Sequence, residues 1–267
     1  MRYENTCQNA CVYCDSDLSS RWAKELGVEQ VRPGDNKMHD TKQYIIEKLS
    51  GIKEIYLAGG EPLVSKDFAV ILKELHYVNP GCKVRVNSNI KNLQTPVYEL
   101  TKQFNNLQYT ISMESTGSQF EYIRWPQKWD SFVTNFKQIR TEVPKYNLNM
   151  VLNVLNHRAI FDSIDYLLGI GVNENAFIIT HAYEPDWMNI TNLPEDMLLE
   201  FKVQCKMYMR QCDPRLNLYS ALQGCIGYID DSNDVADISL TQRNLDILDI
   251  RRNLNSRSVF PHIWECQ

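Results

Sequence analysis

Short apolar strands and amphipathic helices trade places through most of this 267-residue chain, and that alternation restricts its fold more than any other property of the sequence. Residues 41–49 read as a helix and EIYLAG at 54–59 as a buried strand. Ser65 is placed to cap a helix running to about Val78, KVRVNSN at 83–89 is a strand, and Thr95 with Pro96 opens another helix. LQYTISME at 107–114 is the next strand. A helix from Trp129 carries Phe132, Val133, Phe136 and Ile139 on one face. Strand LNMVLNVLN at 148–156, a helix over 161–168 ended by Gly169 and Gly171, and strand NAFIITHA at 175–182 complete the series. Strands joined this way take right-handed crossovers and lie parallel. With residues 2–6 as a short first strand, about six such units result, fewer than the eight of a closed barrel. The expected fold is therefore α/β, a partial (β/α)6 TIM-like barrel with a parallel sheet and a C-terminal helical and irregular extension.

The alternation stops near Tyr183. Beyond it, residues 195–212 read as a helix whose Leu198, Phe201, Cys205, Tyr208 and Cys212 recur three or four positions apart; a turn-rich segment follows near Gly224 and Gly227, and a last helix ends in RRNLN. The expected division is a core over 1–190 and an extension over 191–267 that covers the barrel. A chain 43% hydrophobic and 23% charged can bury a full core of this size. It has no run of about eighteen apolar residues, and Met1 is followed by Arg2, Tyr3 and Glu4, so neither a membrane span nor a secretion signal is indicated and the expected location is cytoplasmic. A net charge of −5 without a basic block argues against non-specific nucleic-acid binding.

In a reducing compartment the eight cysteines are ligands or core residues rather than a disulfide framework. Cys205 and Cys212 fall on an apolar helix stripe and Cys82, Cys225 and Cys266 stand isolated, so these five read as structural. Cys7, Cys11 and Cys14 differ. In TCQNACVYCDSD (6–17) they crowd into eight positions just after the expected first strand, hence at the C-terminal mouth of the barrel, where active sites gather. Soft thiolates select zinc, copper(I) or iron-sulfur clusters, and three of them leave one iron of a [4Fe-4S] cube open for a chelating ligand.

The CxxxCxxC spacing with Tyr13 directly before the last cysteine, together with Gly59-Gly60-Glu61-Pro62 at the end of the second strand, resembles the radical S-adenosylmethionine (radical SAM) superfamily. The stretches CDSDLSSRWAKELG, AGGEPL and EYIRWPQKWDSFVTNFKQI are similar to twitch or SPASM-type members, including phage-encoded ones, although no compact second cysteine set for an auxiliary cluster is present. The resemblance implies two cofactors, a [4Fe-4S] cluster and S-adenosylmethionine (SAM). Cys7, Cys11 and Cys14 would ligate three irons while SAM chelates the fourth, and Tyr13 would lie near the adenine. Gly59, Gly60 and Glu61 would receive the methionyl amino group. Asn87, Ser88 and Asn89, then Ser112 and Glu114, occupy the strand ends where relatives contact ribose or the methionyl carboxylate, and Arg124 matches an arginine some relatives place on that carboxylate. The implied activity is reductive cleavage of SAM to a 5′-deoxyadenosyl radical that takes hydrogen from a peptide, protein or nucleotide-derived substrate. The reductant would be a flavodoxin or ferredoxin, in the host cytoplasm if the chain is phage-encoded. No residue is singled out as catalytic. His157 and His181, which follow or end late strands, read as structural or as substrate contacts. The alternative is a non-catalytic iron-sulfur or zinc-binding protein on a degenerate scaffold of the same kind.

Overall fold

The computed structural model describes residues 4–28, 38–232 and 236–265. Five strands, β1 (Glu54–Leu57), β2 (Lys83–Ser88), β3 (Leu107–Ser112), β4 (Lys145–Leu152) and β5 (Phe177–His181), form one sheet in sequence order. The β1–β2, β2–β3 and β4–β5 pairs are parallel, as the strand-helix alternation requires. Helices occupy every crossover between these strands. The chain divides into two compact units, residues 1–10, 14–112 and 126–147 in the first and 11–13, 113–125 and 148–267 in the second.

In the first unit, helices α1 (Ser20–Leu26), α2 (Met38–Lys48), α3 (Lys66–Val78), α4 (Pro96–Thr101) and α6 (Trp129–Glu142) accompany β1 to β3. The two-residue period of the strands sorts their side chains. Ile55, Leu57, Val84, Val86 and Ser88 are buried, whereas Glu54, Tyr56, Lys83, Arg85 and Asn87 stay wholly or partly exposed. Register then places Glu54 opposite Lys83, and its carboxylate pairs with Lys83 at 2.8 Å and Arg85 at 3.1 Å. On the helices Phe68, Ile71, Leu72 and Leu75 of α3 and Phe132, Phe136 and Ile139 of α6 are buried, each contributing about 1.5–3 kcal/mol. The caps are those the sequence indicates. Ser65 Oγ accepts from Phe68 N at 3.1 Å and Thr95 Oγ1 from Tyr98 N at 3.2 Å.

The second unit holds α5 (Gly117–Ile123), α7 (Ala159–Gly169), β5, α8 (Glu195–Met209), α9 (Asn217–Asp230) and α10 (Ile238–Arg252). Cys205 of α8 and Cys225 of α9 are fully buried, alongside Phe201, Leu218 and Leu222, in agreement with a structural role. Cys266 lies outside the described residues.

Two expectations need correction. The segment near Gly224 and Gly227 is not turn-rich: both glycines lie inside α9, whose Leu218, Leu222, Cys225 and Ile229 form a buried stripe. That burial outweighs the roughly 1 kcal/mol each glycine costs in a helix interior. The stretch 20–26 forms α1, capped by Ser19 and closed by Gly27 at φ +66°. The expected first strand also does not form among the described residues: Arg2 lies outside them, and residues 4–6 carry no strand. Those residues nevertheless dock on the end of β1, where Glu4 O accepts from Gly60 N at 3.0 Å and Thr6 O from Glu61 N at 2.7 Å.

Candidate cofactor site

The first unit assembles one group of candidate residues at the ends of β1 and β2. After β1 the chain runs past Gly59 and Gly60 against the backbone of residues 4–6. A Cβ on Gly60 would lie 2.3 Å from Thr6 O, and one on Gly59, whose φ is +144°, 2.6 Å from Glu4 O. Only glycines allow this approach, and it lays the residue before Cys7 on the strand end. Glu61 is 3% exposed. Its Oε1 accepts from Leu63 N at 3.1 Å and Ser88 Oγ at 2.8 Å, and its Oε2 from Asn89 N at 2.7 Å. The carboxylate thus ties the end of β1 to the end of β2. Asn89 extends the link to the cysteines, its Nδ2 donating to Cys7 Sγ at 3.9 Å, and Asn9 N donates to the same sulfur at 3.5 Å. Asn87 and Ser112 are partly exposed, and Asn87 Oδ1 has no hydrogen-bond partner. Cys14 also belongs to this unit and is partly exposed.

The second unit holds the other group. Cys11 is buried, and burial pushes its thiol pKa up, an effect opposed by the Arg124 guanidinium. Glu114 is fully buried beyond the end of β3 and pairs with Arg124, whose Nη1 donates to its two oxygens at 3.0 and 2.8 Å. Tyr13 closes the triad, donating from its hydroxyl to Glu114 Oε1 at 2.8 Å and accepting from Arg124 Nη1. Burial pushes the phenol pKa up; it pushes the guanidinium down, but the charges of Glu114, Tyr13 and Cys11 with the Glu114 hydrogen bond together outweigh that and hold Arg124 well above its ordinary range. Arg124 is therefore no surface ion pair, and the carboxylate on it here is a protein one.

His157 is buried against Val154 O through Nδ1 and lies edge-on to His262 at 5.0 Å; burial drives its pKa to about 3. His181 stacks on Tyr228 at 4.2 Å, beside the exposed Tyr183. Sequence reasoning missed two buried amides of the first unit, Asn9 and Gln127, joined by Asn9 Nδ2 donating to Gln127 Oε1 at 2.7 Å. They lie 118 positions apart, and no local pattern marks such a pair.

Three soft thiolates suit an iron-sulfur cluster, and the N–H groups of Asn9 and Asn89 aimed at Cys7 Sγ suit a sulfur that carries negative charge. Among the described residues, no three or more His, Cys, Asp or Glu side chains gather where a single ion would sit. A cluster asks for less convergence, since each thiolate binds its own iron. The residues present fit a cluster on these grounds. None of the described helices is long and apolar enough to cross a membrane.

The family model described as the Radical SAM superfamily matches residues 2–176. No curated protein matches the chain by sequence. Among solved structures, native anSMEcpe with bound AdoMet superposes with a TM-score of 0.59 at 14% identity, over 78% of this chain and 58% of that one. The same protein with AdoMet and the Kp18Cys peptide gives 0.57 at 10% identity, over 78% and 58%. Streptococcus suis SuiB bound to its precursor peptide SuiA gives 0.56 at 13% identity, over 79% and 45%. At these identities the likeness concerns the fold, and the chain spans only about half of the solved proteins it resembles.

Proposed function

This chain belongs to the radical SAM superfamily, and we propose that it holds a [4Fe-4S] cluster on Cys7, Cys11 and Cys14, binds SAM, and abstracts hydrogen from a peptide or protein substrate. The observation that carries this reading is the contact between the two sequence motifs. Gly60 and Glu61 bond to the backbone that leads into Cys7, and Asn89 joins the Glu61 carboxylate to the Cys7 sulfur. A bare metal site has no use for a tight acidic strand end beside one of its thiolates, which favours the enzyme over the zinc-binding alternative.

Bound cluster and SAM supply the one-electron chemistry that yields a 5′-deoxyadenosyl radical; the chain supplies binding, orientation and exclusion of water. Gly59, Gly60 and Glu61 form the shelf for the methionyl ammonium. Glu61 gives three of its acceptor positions to Leu63, Ser88 and Asn89, so its first duty is to hold that shelf in place. Asn87 and Ser112, partly exposed at strand ends, offer polar groups to ribose. Tyr13, Glu114 and Arg124 form a buried brace behind Cys11, with Tyr13 on the adenine side. A peptide substrate accords with the solved proteins of the same fold that hold peptides. Residues 1–190 act as the core and 191–267 as an accessory region; a flavodoxin or ferredoxin supplies electrons in the cytoplasm.

Anaerobic reconstitution tests the reading. Brown cluster absorbance with release of 5′-deoxyadenosine is expected, and Cys11→Ala should abolish both. Colourless protein with stoichiometric zinc would overturn it.

A further inference from the structure

Gln127 belongs to neither motif, yet it is 1% exposed and both ends of its amide are engaged. Its Nε2 donates to Asn89 O at 2.9 Å, and its Oε1 accepts from Asn9 Nδ2 at 2.7 Å. The two residues it holds are the two whose N–H groups reach the Cys7 sulfur, Asn9 through its backbone and Asn89 through its side chain. A closed loop results, running Cys7, Asn9, Gln127, Asn89 and back to Cys7, entirely within the first unit.

The surroundings fix this loop from outside. Asn9 O accepts from Ser19 Oγ, and Asn89 Oδ1 accepts from Lys91 N at 2.8 Å. Ile90, next in the chain, has a left-handed φ of +47°, a costly conformation for a β-branched residue. It is held there by its N–H donating to Ser88 Oγ at 2.9 Å and by Asn135 Nδ2 donating to its carbonyl at 2.7 Å. The strained turn aims Asn89 so that its backbone faces Glu61 and Gln127 while its side chain faces Cys7.

We propose that Gln127 is a positioning residue that sets the potential at which the cysteine-bound cluster takes up its electron, by holding two N–H donors on the Cys7 sulfur. The inference rests on the proposed cluster ligation and goes beyond it. Reduction adds negative charge that the sulfurs share, so N–H groups pointing at a ligating sulfur favour the reduced state and raise the potential. Gln127 acts through the two neighbours it holds, Asn9 and Asn89.

The test is an EPR-monitored redox titration of the anaerobically reconstituted full chain, wild type against Gln127→Met, which keeps the side chain's length and removes both hydrogen bonds. The expected result is a midpoint shifted to more negative potential at equal iron content. A purely structural role would lower thermal stability and leave the midpoint in place, and an unchanged midpoint overturns the proposal. Should Gln127→Met fail to take up cluster, wild type answers through deuterium ENDOR in D2O. Couplings from exchangeable N–D groups at a cysteinyl sulfur support the proposal, and their absence overturns it. Wild type that binds no cluster overturns the functional reading as well, whereas wild type that cleaves SAM with a midpoint equal to the variant's overturns this inference alone.

Discussion

Replacing Gly60 with alanine adds one methyl group at the most crowded point beside the cysteine loop. The new Cβ would meet Thr6 O at 2.3 Å, Asn5 O at 2.5 Å and Asn5 C at 2.6 Å, all backbone atoms that cannot swing aside. To restore ordinary contact, residues 4–6 must retreat by about 1 Å. That movement breaks or weakens the bonds from Gly60 N to Glu4 O and from Glu61 N to Thr6 O, each worth about 1 kcal/mol. Overpacking adds about 1–3 kcal/mol, and the reduced freedom of the unfolded chain returns about 0.4–1 kcal/mol. The net expectation is a loss of about 3 kcal/mol together with poor iron uptake, since Cys7 moves with the segment. Urea denaturation of the cluster-free protein, followed by circular dichroism, and iron content after reconstitution measure the two effects. Gly27→Ala is the control: its φ is +66° but nothing lies within 4 Å of the added carbon, so it should cost only the left-handed penalty, about 1–2 kcal/mol, and leave iron uptake intact. Gly60→Ala with stability within about 0.5 kcal/mol of wild type and normal iron content, a change typical of an uninvolved surface position, would refute the close packing of the strand end on the cysteine loop.

Two further outcomes follow from buried ionisable groups. The folded-state pKa values of His157, about 3, and His262, about 4, lie below the ordinary 6.5, so stability is complete above pH 6.5 and falls as the pH drops towards 3. At pH 5 both rings stay neutral in the folded chain, and the loss is about 2 kcal/mol for each; urea midpoints at pH 7.5 and pH 5 should show it, with His157→Leu removing about half, and a pH-independent midpoint would contradict the burial. Arg124→Met leaves Glu114, 0% exposed, without its counter-charge and should cost about 3–5 kcal/mol, most of it recovered in the Arg124→Met/Glu114→Gln double variant. A single-variant cost below about 1 kcal/mol, the range of an exposed pair, would mean the two are not desolvated together.

What the sequence made legible is whatever its chemistry expresses locally. Ser65 and Thr95 cap helices because a hydroxyl before an apolar period accepts from an N–H two or three residues on, a rule contained in a few positions. Three cysteines in eight positions and a Gly-Gly-Glu-Pro strand end are equally local, and so was the resemblance they carried. The misreadings have the same origin. Gly224 and Gly227 look like turn residues until α9 buries the stripe from Leu218 to Ile229, which is a tertiary effect. Strand LNMVLNVLN was expected to run to Asn156 but stops at Leu152, because the side chains of Asn153 and Asn156 bond to nearby backbone and turn the chain. Gln127 and Asn9 were invisible, since an amide pair 118 residues apart leaves no periodic trace.

The three polar residues that close β2 show why strand-end chemistry is read only coarsely from a run of residue types. Asn87, Ser88 and Asn89 formed one expected ribose-contacting group, but the pleat alternates and the strand ends between them. Ser88 follows Val84 and Val86 onto the buried face, where its hydroxyl donates to Glu61 Oε1 and accepts from Ile90 N. Asn89 has left the ladder, and its amide groups serve Glu61, Cys7 and Gln127. Asn87 alone takes the parity of Lys83 and Arg85, on the face that β1 to β3 leave polar, and it alone keeps a side-chain oxygen with no hydrogen-bond partner. Three neighbours of similar chemistry therefore carry three duties, to hold the acidic strand end, to reach the sulfur and to offer an acceptor. The parity of the strand, rather than residue type, assigns them.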